Sequence, residues 1–217
     1  MITGGEPTLY PNFIELIEEL SKLHTVKITS QLSGDIYTLA RRINPERVVF
    51  DMNFHPMEAQ LEPYLKKVLC LKEHGFNGGV CYLAYPPQMD KIAYYQTEFQ
   101  KNGIGFALAA FWGEYNGKRY PESYTEEEKE LIAPYLGDMK RIVYHLEGKK
   151  TKGKLCRAGH VYASVKADGT VTRCGPLSHK PIGNLFDSSF RLFEAPMPCE
   201  AEVCPCDEYV WLVDESK

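Results

Sequence analysis

Gly105-Phe-Ala-Leu-Ala-Ala-Phe111 is the stretch that decides the fold. It is almost wholly apolar, as a strand covered on both faces should be, and such strands belong to parallel sheets packed between helices. The chain before it repeats one alternation. Gly79-Val-Cys-Tyr-Leu-Ala-Tyr85 reads as a strand, and the helix after it turns Ile92, Tyr95 and Phe99 inward before Gly103. Val48-Val-Phe-Asp-Met-Asn-Phe54 reads as a buried strand, followed by a helix striped with Leu61, Leu65, Val68 and Leu69 that ends at Gly75. Val26-Lys-Ile-Thr-Ser-Gln-Leu32 alternates as a strand, and the short helix from about Asp35 must stop before Asn44-Pro45. An amphipathic helix from about Asn12 to Leu23 places Phe13, Leu16, Ile17 and Leu20 on one face. Right-handed crossovers make four such strands parallel, with ligand chemistry at their C-terminal ends. Gly4-Gly5-Glu6-Pro7, Ser30-Gln31, Asn53-Phe54-His55 and Tyr85-Pro86-Pro87 all fall there.

Beyond Phe111 the pattern changes. Residues 112–121 form a polar aromatic loop, and the Thr125/Glu128 capping box starts a helix expected to end near Ala133, before Pro134. Residues 148–154 are rich in lysine and glycine and read as a linker, so the chain divides into 1–147, a linker over 148–154, and 155–217.

The last segment holds five of the seven cysteines: Cys156, Cys174, Cys199, Cys204 and Cys206. Asp168-Gly169, flanked by alternating apolar and polar residues from Val161 to Cys174, is a hairpin signal that carries Cys174 back toward Cys156. Gly159 allows the chain from Cys156 to bend, and Pro196, Pro198 and Pro205 stiffen the tail that brings the last three thiols. Thiolates gathered so suit a soft metal or an iron-sulfur cluster, and a structural zinc with four cysteine ligands fits the spacing as an alternative. An odd cysteine count with no secretory leader argues against a disulfide framework. Cys70 and Cys81 lie in apolar runs and are assigned no role.

A chain of 217 residues can bury a sizeable core. A net charge of −4 without a large Lys/Arg cluster argues against nucleic acid as a partner, and no apolar run approaches the roughly 20 residues of a bilayer span. A cytoplasmic setting is expected, with a small molecule or peptide as substrate.

Thr3-Gly4-Gly5-Glu6-Pro7 at a strand end, ahead of an amphipathic helix and further βα units, resembles the radical S-adenosylmethionine (SAM) enzymes. The resemblance implies a partial (β/α) barrel in which backbone at Gly4, Gly5, Glu6 and Pro7 receives the methionine amino group of SAM. It places Ser30, Asn53 and His55 on later strand ends that contact cofactor or substrate. Cys156, Gly169 and Cys174, with Pro181-Ile182-Gly183-Asn184-Leu185, resemble the SPASM or twitch extension of the same enzymes. That implies one auxiliary four-iron four-sulfur (4Fe-4S) cluster, with one of Cys199, Cys204 and Cys206 spare. The family's CxxxCxxC loop for the catalytic cluster is not in the chain. The chain is therefore expected to be an N-terminally truncated piece of a longer enzyme, inactive by itself, with an uncovered barrel edge open to self-association.

The complete protein is then expected to generate a 5′-deoxyadenosyl radical and abstract hydrogen from its substrate. The alternative is a non-catalytic metal-binding module that keeps the scaffold for structure or interaction. A hydrolase is the poorer option, because no nucleophile elbow or Ser/His/Asp constellation is present. The acidic run around Glu126 to Glu130 reads as a solvated first turn favoured by the helix dipole.

Overall fold

The computed structural model describes residues 1–137, 139–175, 177–204 and 212–213. The chain divides into two units, Met1–Asp138 and Met139–Lys217.

The first unit is a mixed α/β layer. Helix α1 (Phe13–Leu23) leads to β1 (Val26–Ser30), α2 (Ile36–Arg42), β2 (Val48–Phe54), α3 (Leu61–Glu73), β3 (Asn77–Ala84), α4 (Ile92–Lys101) and β4 (Phe106–Ala110). The four strands form one parallel sheet in chain order, in register from Val26 opposite Val48 to Ala84 opposite Ala110. Ile2 adds a parallel bridge on the outer side of β1, donating to the Lys27 carbonyl at 2.7 Å and accepting from Thr29 N at 3.0 Å.

One face of the sheet is packed by helices. Phe54 meets Tyr64 of α3 at 4.8 Å between ring centroids, and Tyr95 and Phe99 of α4 at 4.9 and 5.4 Å. The opposite face carries small and polar side chains, among them Thr29, Asp51, Asn53, Cys81 and Ala107, all half-buried or exposed. This corrects the reading of β4 as covered on both faces. Alanine makes a strand look apolar without requiring burial, and Ala107 is exposed.

Other elements differ in detail. The buried stripe of α1 is Phe13, Ile17 and Ser21, while Leu16 is exposed; that of α3 is Tyr64, Val68 and Leu71. Strand β1 stops at Ser30 because Leu32 takes a left-handed φ of 59°. Residues 112–121 are not a plain loop but a hairpin, β5 (Gly113–Tyr115) and β6 (Lys118–Tyr120), turning on Asn116 and Gly117 with φ of 48° and 70°. Helix α5 (Glu126–Leu136) has the expected capping box but runs through Pro134, whose missing N–H leaves the Glu130 carbonyl without its intrahelical donor near the helix end.

The second unit opens on α6 (Met139–Glu147) and continues in short strands: β7 (Lys149–Lys150), β8 (Leu155–Cys156), β9 (Ser164–Val165), β10 (Thr170–Thr172), β11 (Pro181–Asn184), β12 (Met197–Pro198) and β13 (Val203–Cys204). The Asp168-Gly169 hairpin is present, with β9, β10 and β11 as one antiparallel sheet. Two pairs close the unit on itself, β7 with β13 and β8 with β12. Residues 148–154 run within it, and Thr151 is fully buried. Among the described residues no helix is long and apolar enough to cross a membrane.

Candidate functional site

Two constellations stand out, one in each unit. In the first, Gly4 and Gly5 take left-handed φ of 93° and 57° just past the Ile2 bridge, a conformation that costs glycine least. No atom lies within 4 Å of where a Cβ would stand on either, so the backbone of this turn is open to a ligand. Pro7 then starts a short 3-10 turn, Pro7–Leu9, capped by Glu6.

The Glu6 side chain organises the strand ends. Its Oε1 accepts from Thr8 N at 3.1 Å, from the Ser30 hydroxyl at 2.5 Å and from the Thr8 hydroxyl, and its Oε2 accepts from Gln31 N at 2.7 Å. The network continues outward: Ser30 Oγ accepts from Leu32 N at 2.8 Å, and Thr8 Oγ1 accepts from Gly34 N at 2.9 Å. Lys67 of α3 donates to the Leu32 carbonyl at 2.6 Å and pins the left-handed residue. A half-buried carboxylate accepting four hydrogen bonds is committed to holding the turn, so Glu6 is not poised as a general base.

Ser30 therefore joins Glu6, but Asn53 does not. Ser30 pairs with Met52, and Asn53 is the next residue along β2, so it faces the open side of the sheet. Two buried polar atoms, Gln31 Oε1 and Tyr64 Oη, have no hydrogen-bond partner among the described residues. Burial pushes the Tyr64 phenol up, and the Cys81 thiol and Glu6 carboxylate add to the shift. The roles of Thr8 and Lys67 were not legible in the sequence, because neither belongs to a local pattern.

In the second unit, Cys156 lies in β8 opposite Met197, and Cys204 lies in β13 opposite Lys149. Cys199 exchanges backbone bonds with the strand approaching β8: its N donates to the Lys154 carbonyl, and its carbonyl accepts from Gly153 N, both at 2.8 Å. Its thiol lies 3.4 Å from the hydroxyl of buried Thr151. Cys156, Cys199, Ala158, Leu212 and Val213 form a small buried cluster against which Cys174 packs. Burial pushes the Cys174 thiol up, and Cys156, Cys199 and Cys204 each push it further, so four of the five expected cysteines share one neighbourhood. Cys206 lies outside the described residues.

None of the described cysteines is in a disulfide. Nor do any three His, Cys, Asp or Glu side chains among the described residues gather closely enough to hold a single metal ion. Four neighbouring thiols fit a thiophilic group in donor chemistry.

Arg173, unforeseen from the sequence, ties this neighbourhood together. Its guanidinium donates to the carbonyls of Ala158, Met197 and Pro198 at 2.7 to 2.9 Å and of Cys156 at 3.3 Å. Only 5% of the residue is exposed.

No family model matches the chain, and no curated protein matches it by sequence. By structure it is similar to hexahistidine-tagged anSMEcpe with bound AdoMet, a radical SAM enzyme, with a TM-score of 0.57 and 16% sequence identity. The match covers 86% of this chain and 60% of that one, so this chain spans less than two thirds of its structural neighbour. At that identity the likeness is one of fold.

Proposed function

We propose that this chain is part of a radical SAM enzyme: its parallel sheet a segment of the partial barrel, its second unit the seat of one auxiliary 4Fe-4S cluster. When bound, SAM and a reducing cluster supply a 5′-deoxyadenosyl radical that takes hydrogen from a substrate, a peptide among the candidates. The observation that carries the reading is the Gly4-Gly5 turn. It presents open left-handed backbone at the strand ends of a fold similar to one that holds AdoMet.

The chain's own residues would then divide the work. Gly4 and Gly5 offer backbone to the amino group of SAM, and Glu6, Thr8 and Ser30 hold that backbone in place. Asn53 faces the open side of the sheet, where a ligand's polar groups would reach it. Cys156, Cys174, Cys199 and Cys204 would hold the cluster.

Two measurements test the two halves. Iron, sulfide and zinc content of the anaerobically reconstituted chain, beside a Cys174→Ala variant, tests the cluster. About four irons and four sulfides per chain, lost in the variant, are expected; one zinc and no sulfide would sink the assignment. Amide chemical shifts on adding SAM test the turn, with movement expected at Gly4, Gly5 and Ser30. Unchanged shifts there at millimolar SAM would remove the basis for the SAM half.

A further inference from the structure

Arg173 is a buried cation with no carboxylate within ion-pair distance among the described residues. Taking a guanidinium out of water costs several kcal/mol unless charge and hydrogen bonds compensate. Four carbonyls supply the hydrogen bonds but no net negative charge. The segments those carbonyls belong to are informative. One is Cys156 itself, one is Pro198 beside Cys199, and Arg173 is bonded in sequence to Cys174. The guanidinium thus reaches the backbone at or beside two of the four gathered cysteines, Cys156 and Cys199, and its own residue adjoins a third, Cys174. The Phe193 ring, 5.7 Å from Cζ, closes its remaining side.

We propose that Arg173 is a positioning residue whose buried charge is the electrostatic counterpart of an anionic metal-thiolate centre on Cys156, Cys174, Cys199 and Cys204. This rests on the cluster reading above and deepens it. The centre's negative charge neutralises the guanidinium, and the guanidinium in turn stabilises the more negative, reduced state of whatever the thiolates hold. The planar fork suits the task, because it spans several segments while its charge cannot be lost at any ordinary pH. An exposed carboxylate would not serve as the partner. Glu200 feels Arg173 only weakly, and Lys180 is the main cause of its lowered pKa.

The test uses the reconstituted 217-residue chain with Arg173→Met, which keeps much of the stem and removes the charge, and Arg173→Lys, which keeps the charge and loses the fork. Iron and sulfide content and the midpoint potential of the centre are read for all three proteins. Arg173→Met is expected to shift the potential to more negative values, and Arg173→Lys to restore most of that shift. A wild-type potential in Arg173→Met at full iron content would overturn the proposal. Should Arg173→Met take up no iron, Arg173→Lys decides: a potential near wild type supports the charge role, and a clearly more negative one at full iron content overturns it. A wild-type chain without iron and sulfide fails the cluster reading itself, a result distinct from either variant outcome.

Discussion

Replacing Glu6 by Gln changes one atom and exposes what the carboxylate does. Both oxygens accept: Oε1 from three donors and Oε2 from the Gln31 amide at 2.7 Å. A carboxamide has one acceptor oxygen, so its NH2 must face donors whichever way it turns. The better orientation keeps oxygen toward Thr8 and Ser30 and sets the NH2 against the Gln31 N–H, which cannot rotate away. Losing that charge-assisted bond and leaving the amide unpaired should cost about 2 kcal/mol. For a unit of this size that corresponds to roughly 7 °C in melting temperature. Urea unfolding followed by Trp112 fluorescence, in a Trp211→Phe background, measures it. Stability within about 0.5 kcal/mol of the parent would refute the claim that this carboxylate organises the strand ends.

Three further outcomes are expected. In Gly34→Ala the new Cβ would stand 2.2 Å from the Thr8 carbonyl oxygen, so the loop must move; about 2 kcal/mol of destabilisation is expected by urea unfolding, together with lost exchange protection at Leu32. Tyr124→Phe removes the hydroxyl that donates to Ala84 O at 2.5 Å and accepts from Phe111 N at 2.9 Å, which should cost about 1 to 2 kcal/mol and speed amide exchange at Phe111. Burial pushes the Tyr64, Tyr82 and Tyr124 phenols up, so above about pH 10 the unfolded chain loses these protons first. Stability should therefore be full below about pH 10 and fall as pH rises past it, with a shallower fall in Tyr64→Phe on alkaline unfolding curves.

The βα rhythm was legible because it is a local signal. Val48 to Phe54 read as a strand and is one, since its alternation and its burial agree residue by residue. Leu16 misleads because residue type alone does not tell which positions of a helix turn inward: it is exposed, while Ile17 beside it is fully buried. The hairpin at Asn116-Gly117 carried its signal in plain view, hidden by the aromatics around it. Glycines at positions 4 and 5 marked the first candidate site, but the carboxylate that holds it could not be inferred. Its partners Ser30 and Gln31 lie 24 and 25 residues away. Arg173 is the extreme case, with acceptors on segments whose proximity only the fold creates.

The way the second unit closes sets an order on its assembly. In the first unit each strand of the sheet pairs with the next in sequence, so the layer can build progressively as the chain leaves the ribosome. In the second, β7 waits for β13, and β8 waits for β12. A nascent chain with Cys156 and Cys174 already exposed therefore has no completed thiol neighbourhood until Val203–Cys204 emerges. Release of the chain between Cys174 and that point leaves at least two thiols without the fold that shelters them.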